Sequence, residues 1–209
     1  MRREPHAPWL VVTGLDGAGK TTLVRRVAER FGAFLFRLPY HDFVRPALEL
    51  SGGGTPFGDV HTDRLVFAAD ARLTNSLIRG WEKEHKALVS QRGWMDNFVF
   101  GAVQGMKWKE TERLLAPRDL TRAAGVVCLV ADPDVAWARI RPADKFETPD
   151  FLVHQRAETL RLMAAVDRDP ALEAFRGIPS RVVDTTRLTT DEVWADVEPL
   201  ARKTLTIDS

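Results

Sequence analysis

Short unbroken apolar runs alternate along this chain with longer segments whose apolar positions recur every three or four residues. The first run, "WLVVTG", reads as a strand buried on both faces. "KTTLVRRVAERF" follows, with Leu23, Val27 and Phe31 four residues apart, so one helical face is apolar. "AFLFRLP" is a second strand, stopped by Pro39, and "SGGGTPFGD" is the most loop-like stretch after it. "TDRLVFAADARLTNSLIRGW" predicts a long helix with Leu65, Ala69, Leu73 and Leu77 as its inner stripe and Thr62 or Asp63 as its cap. "KALVSQ" and "GVVCLVAD" are the third and fourth strands. "PDVAWARI" opens a helix on a proline. "DFLVHQRAETLRLMAAVDR" is a further helix and "SRVVDTT" the fifth strand. "TTDEVWADVEPLARKTL" is a closing helix that opens on a T-x-x-E-like cap.

Strand and helix in alternation predict an α/β fold, a five-stranded parallel sheet with helices on both faces. A length of 209 residues suits a single domain over 1–209, long enough to enclose one core. No internal repeat or linker interrupts it. The net charge of +1, from 30 basic and 29 acidic residues, gives no overall pull toward nucleic acid, which leaves a local basic patch open. The lone cysteine, Cys128, lies inside an apolar run and is expected to be a buried strand residue. One cysteine allows no internal disulfide, which suits a reducing cytoplasm. No apolar run reaches the roughly 20 residues of a membrane helix, and the start of the chain does not read as a signal peptide. Six tryptophans against one tyrosine is an unusual ratio that composition alone does not explain.

The chemistry begins where the first strand ends. Gly14-Leu15-Asp16-Gly17-Ala18-Gly19-Lys20-Thr21 fits G-x-x-x-x-G-K-[ST] in full, between a strand and a helix. Its glycines let backbone N–H groups turn inward onto a phosphate, and the helix beginning there adds its positive dipole end. Gly14, Gly17, Ala18, Gly19, Lys20, Thr21 and Thr22 are therefore the candidate ATP-phosphate residues. Lys20 is expected on the β- and γ-phosphates and Thr21 on Mg²⁺. Asp16 is less expected, because a carboxylate beside phosphates is repelled unless a metal or a proton offsets it. It either assists the metal or holds or deprotonates an acceptor. The loop by itself does not choose between a kinase, a hydrolytic switch and a motor.

Several segments, in order, resemble thymidylate kinases: "GLDGAGKTT", "FRLP", "LVFAADARLTNSLIRGWEKEHKALVSQR", "RIRPADKFE", and "VVDTT" with "DEVWADV". The resemblance spans nearly the whole chain. It implies ATP and Mg²⁺, a nucleotide-type acceptor, a lid over about 139–148 and a possible homodimer. Phe67 would stack on a base, Arg37 and Arg92 would grip an acceptor phosphate, and Arg139, Arg141 and Lys145 would bring charge to the transferring phosphoryl group. Asp16, Lys20, Arg92, Arg139 and Arg141 are the expected catalytic set, with Asp16 and Thr21 at the metal.

The departures cluster on the acceptor side. Gln91 stands where the family has an acidic residue before the arginine, so Asp16 works alone, or Asp96 reaches in, or the acceptor differs. Ala71 replaces an arginine, with Arg72 one place later, about 100° around a helix. "RGWMDNFVFGAVQG" matches only loosely, with Asp96, Asn97 and Gln104 in the region that would meet an acceptor. The first expectation is phosphoryl transfer from ATP to a thymidylate-like deoxypyrimidine nucleotide. A second is a kinase acting on the 5-hydroxymethyl group of hydroxymethyluracil in DNA, motivated by "QRGWMDN" and the aromatics Trp94, Phe98 and Trp108. A third is a nucleotide-binding regulatory protein without catalysis.

Overall fold

A computed structural model describes residues 6–44, 59–140 and 148–206. β1 (Trp9–Gly14) is buried at all six positions. It pairs in parallel with β3 (Leu88–Gln91) on one side, Trp9 opposite Leu88, and with β4 (Gly125–Val130) on the other, Leu10 opposite Gly125. β2 (Phe34–Arg37) adds to β3 and β5 (Ser180–Asp184) to β4, so the order is β2-β3-β1-β4-β5. Every pairing is parallel, and the three central strands β1, β3 and β4 are buried at every position, as their unbroken apolar runs predict.

Side chains of β1 alternate between two cores, as the period of a strand requires. Leu10 and Val12 join Leu23, Val24 and Val27 of α1 (Lys20–Phe31) and Val193, Trp194 and Val197 of α7 (Thr190–Leu205). Trp9 and Val11 join Ile78 of α2 (Val60–Glu84), Phe98 of α3 (Asp96–Val103), Trp108 of α4 (Trp108–Leu115) and Leu162 of α6 (Pro149–Ala165). The short α5 (Pro133–Arg139) follows β4. The T-x-x-E cap of α7 is real: Thr189 Oγ1 accepts from Glu192 N at 3.3 Å and Thr189 N donates to Glu192 Oε2 at 2.8 Å. Cys128 is fully buried in β4, and burial pushes its thiol up to about 12.

The tryptophans are mainly core residues. Trp9 meets Trp94 edge-on at 5.3 Å, Trp194 lies under Arg26 at 4.9 Å, and Trp108 lies under Arg161 at 3.9 Å. Helices α3 and α4 were not legible as elements. The onset of α4 is marked by Glu110, whose carboxylate accepts from Lys107 N at 2.8 Å.

The long helix corrects the sequence reading. Leu65, Leu73 and Leu77 are 54%, 52% and 37% exposed, and Ala69 is exposed with them. The buried stripe is Arg64, Ala68, Ala71, Asn75 and Ile78, spaced four, three, four and three. The buried face also carries polar residues that meet backbone groups: Asp70 accepts from His41 N at 2.8 Å, and Asn75 Oδ1 accepts from Thr121 N at 2.6 Å. Leucine spacing alone identified an apolar stripe but not the side it turns to. The cap is also corrected, since Asp59 accepts from Thr62 N at 2.9 Å and Asp63 is wholly buried.

Candidate active site

The loop between β1 and α1 curls because three glycines take conformations other residues avoid, with φ of +114°, +78° and +95° at Gly14, Gly17 and Gly19. A Cβ on Gly14 would stand 1.9 Å from Leu129 O, and one on Gly17 would stand 2.3 Å from Ala136 O. A Cβ at Gly19 would meet nothing within 4 Å, so that side of the loop is open. Lys20 folds back under the loop, with Nζ donating to Gly14 O at 3.0 Å, Leu15 O at 2.7 Å and Asp16 Oδ1 at 2.9 Å.

Asp16 is the hub. Its Oδ1 also accepts from Arg92 Nη2 at 2.9 Å, and its Oδ2 accepts from Gln155 Nε2 at 3.2 Å. Gln155 returns the contact, its Oε1 accepting from Asp16 N at 3.3 Å. Burial alone would raise the Asp16 carboxyl, but Arg92 and Lys20 outweigh it and hold it well below the usual carboxylate range. Arg92 is presented by a strained backbone, with φ of +71°, a conformation that costs a non-glycine residue about 1–3 kcal/mol. Two bonds hold it there: Arg92 N donates to Val12 O at 2.8 Å, and Ser90 Oγ donates to Arg92 O at 2.8 Å. Gly93 follows where a Cβ would strike Val11 Cγ1 at 2.7 Å.

Gln91, one residue earlier, lies beside the loop and accepts from Thr21 Oγ1 at 3.1 Å. Asp96 is buried and bound twice through Oδ2, by Thr13 Oγ1 at 2.8 Å and by Gly93 N at 2.7 Å. Burial raises its carboxyl above the ordinary range, against the opposing pull of Arg92.

These groups open into one cavity of about 970 Å³, near the upper end of small-molecule sites. The cavity brings together most of the sequence-derived residues. The loop from Asp16 to Thr22, Arg37, Phe67, Arg92, Asp96, Gln104 and Arg139 all line it. Gln104 Nε2 donates to Asp63 Oδ2 at 3.0 Å. Arg139 is anchored at the far wall, donating to Thr185 O at 3.0 Å and Thr186 O at 3.3 Å. Arg72 is not brought there: it is absent from the cavity wall and pairs with Asp119 at 3.4 Å, because one residue along a helix turns the side chain away. Arg141 and Lys145, with most of the expected lid, lie outside the described residues.

Sequence reasoning missed Gln155 and Arg64. Gln155 lies on α6, 139 residues from Asp16, a distance no local pattern bridges. Arg64 was hidden by the stripe assigned to the wrong face of α2.

A parallel sheet whose central strand delivers a glycine loop to a helix, with the cleft at the carboxyl ends of β1 and β3, defines the P-loop class of α/β proteins. Within that class the fold is of the thymidylate kinase type. The solved structure of thymidylate kinase from Candida albicans matches with a TM-score of 0.74 at 17% identity, covering 98% of this chain and 96% of that one. A probable thymidylate kinase of Methanocaldococcus jannaschii is 27% identical over 192 residues, which is 90% of this chain and 93% of that protein. No protein-family model matches the chain. Among the described residues no helix is long and apolar enough to cross a membrane.

Proposed function

We propose that this chain is an ATP-dependent kinase that transfers the γ-phosphoryl group to a thymidylate-like deoxypyrimidine monophosphate. The observation that carries this reading is the continuity of the cavity, from the phosphate loop past Arg92 to Phe67. A donor phosphate on the loop, an acceptor phosphate at Arg92 and a base near Phe67 follow one line. The likeness to thymidylate kinases in sequence and fold supports the same order.

Lys20 exchanges its bonds to Gly14 O and Leu15 O for donor phosphate oxygens, which are stronger acceptors because they are charged. Arg92 and Arg37 hold the acceptor phosphate in line with the γ-phosphorus. An acceptor oxygen forms the new P–O bond, the bond to the β,γ-bridging oxygen breaks, and ADP leaves with that electron pair. Arg139 offers a further positive charge from the opposite wall. Asp16 positions Lys20 and Arg92 rather than taking a proton, since its carboxyl is held far below the ordinary range. An attacking phosphate oxygen is already anionic and needs no base. A hydroxyl acceptor does need one, and the two other buried carboxylates of this cavity are already engaged, Asp96 by Thr13 and Gly93 and Asp70 by His41. This favours a monophosphate over a base hydroxyl. Trp94, Phe98 and Trp108, which motivated a DNA acceptor, are each under a tenth exposed.

The donor set fits Mg²⁺. Thr21 Oγ1 and Gln91 Oε1 are hard neutral oxygens 3.1 Å apart at the loop, and the Asp16 carboxylate lines the same cavity. Among the described residues there is no three-ligand acidic cluster, which suits a cation held largely by substrate phosphates and water. Thr21, Gln91 and Asp16 are the residues that would hold it, and when bound it would neutralise the phosphate oxygens.

The exposed Leu65, Leu73 and Leu77 stripe supports a homodimer formed through α2. A coupled ADP-release assay across the deoxynucleoside monophosphates tests the whole reading. Turnover on thymidine or deoxyuridine monophosphate is expected. No turnover on any deoxypyrimidine monophosphate, with labelling of hydroxymethyluracil DNA instead, would replace it with the second acceptor.

A further inference from the structure

The cavity wall is rich in fixed cations and short of free carboxylate. Lys20, Arg26, Arg37, Arg64, Arg92 and Arg139 line it, against Asp16, Asp70 and Asp96 among the described residues. All three carboxylates are already engaged. Asp16 accepts from Lys20, Arg92 and Gln155, Asp70 accepts from His41 N, and Asp96 accepts from Thr13 and Gly93. A divalent cation entering without phosphates would meet a repelling field and no unengaged carboxylate among the described residues.

Gln91 adds donors to this wall. It ends β3, in register opposite Val12 of β1 and Arg37 of β2, and its carbonyl accepts from Leu38 N at 3.0 Å. Both neighbouring strands therefore fix where the side chain starts. Its Oε1 accepts from Thr21 Oγ1 at 3.1 Å, which orients the amide. The Nε2 end makes no hydrogen bond among the described residues, and it is not sealed from the cavity that Gln91 lines. A carboxylate at this position would offer acceptors alone, whereas the amide turns two N–H donors outward. Between the phosphate loop and Arg92, the acceptor that fits two unspent donors is a phosphate oxygen.

Resting on the ATP-donor reading above, we infer that Gln91 is a phosphate-binding residue whose amide donates to the terminal phosphate of the donor, so that the loop takes up the triphosphate without its metal ion. The cation then comes with the phosphates and is shared between them and the neutral oxygens of Thr21 and Gln91. A carboxylate in the place of Gln91 would repel the bare triphosphate and make the cation a condition of binding.

The test is calorimetric titration of the full chain with a non-hydrolysable ATP analogue, once in EDTA and once in excess Mg²⁺. The wild-type Kd should differ by less than about tenfold between the two conditions. Q91E keeps the oxygen that Thr21 donates to, removes the N–H donors and adds a charge. In EDTA it should bind about ten- to hundredfold more weakly than wild type, the range for losing a hydrogen bond to a charged group. Mg²⁺ should restore most of that loss, because the ion bridges glutamate and phosphate. Q91M removes the donors without adding charge, so its loss should be about tenfold and should persist in Mg²⁺. Where Q91E does not fold, Q91M in EDTA decides. Mg²⁺ titrated alone into the nucleotide-free wild type should give no saturable heat. A wild-type Kd weakened about tenfold or more by EDTA would overturn the inference. So would saturable Mg²⁺ uptake by the nucleotide-free protein, or variants that bind the metal-free analogue as well as wild type does. Equal losses for Q91E in EDTA and in Mg²⁺ would make Gln91 a structural residue and overturn it too. A wild type that binds the analogue in neither condition would overturn the underlying donor reading instead.

Discussion

D16N separates the stability of the phosphate loop from its affinity for phosphate. The Asp16 carboxylate lies 2.9 Å from both Lys20 Nζ and Arg92 Nη2, and the three side chains are 11%, 3% and 15% exposed. Removing one partner of a buried ion pair costs about 3–5 kcal/mol, because the remaining charge loses both water and partner. Asparagine keeps one acceptor oxygen and the Gln155 contact, so about 3 kcal/mol is expected. At about 2–4 °C per kcal/mol for a chain of this size, the ligand-free Tm should fall by roughly 6–12 °C. The phosphates of ATP supply the missing anion, so the gap should shrink when scanning fluorimetry is repeated with saturating Mg-ATP. Calorimetric titration with a non-hydrolysable ATP analogue should show tighter binding by about tenfold, since Lys20 no longer gives up a charged bond of about 1.5–3 kcal/mol. Phosphoryl transfer should nonetheless slow, because Arg92 loses its anchor. The pH course follows from the depressed carboxyl. Its stabilisation is present above the unfolded value of about 3.9 and is lost as pH falls toward the folded value, so mutant and wild type should converge in acid. Parallel losses of stability and ATP affinity in D16N would refute the reasoning.

D96N should behave oppositely. The Asp96 carboxyl is raised by burial, so it favours folding below about pH 4 and opposes it as pH rises through the folded value. Denaturant melts should show the mutant gaining on wild type with rising pH, and an advantage that grows in acid instead would contradict the assignment. Q155L should lower kcat about tenfold with little change in KM for ATP, because Asp16 loses its orienting amide; an unchanged kcat would leave Gln155 a packing residue. L73E combined with L77E should cost under about 1 kcal/mol, since both positions are exposed. Sedimentation of that double variant should give a monomer if α2 forms the dimer contact, and an unchanged assembly state would exclude this face.

The sequence by itself determined the elements that local chemistry dictates. Unbroken apolar runs specify strands buried on both faces. Glycines at 14, 17 and 19 are required by a loop whose backbone other residues cannot follow. Thr189 and Glu192 mark a helix start within four residues of each other. The phosphate loop was therefore legible from a dozen contiguous positions, and Cys128 could be placed in the core from its neighbours alone.

Tertiary structure decided whatever depends on which side an element turns to, or on partners far apart in the chain. The leucines of α2 look like a core stripe, yet the sheet presents that helix with a polar cleft and buried backbone groups. Asp70, Asn75 and Arg64 turn inward in their place. Arg72 left the cavity for the same rotational reason. Asp16 became the hub of the loop's contacts only when the end of strand β3 brought Arg92 to it and helix α6 brought Gln155, from 76 and 139 residues away. Period and spacing act over one or two turns. An electrostatic site is assembled across the sheet, where only folding sets the distances that make one charge outweigh another.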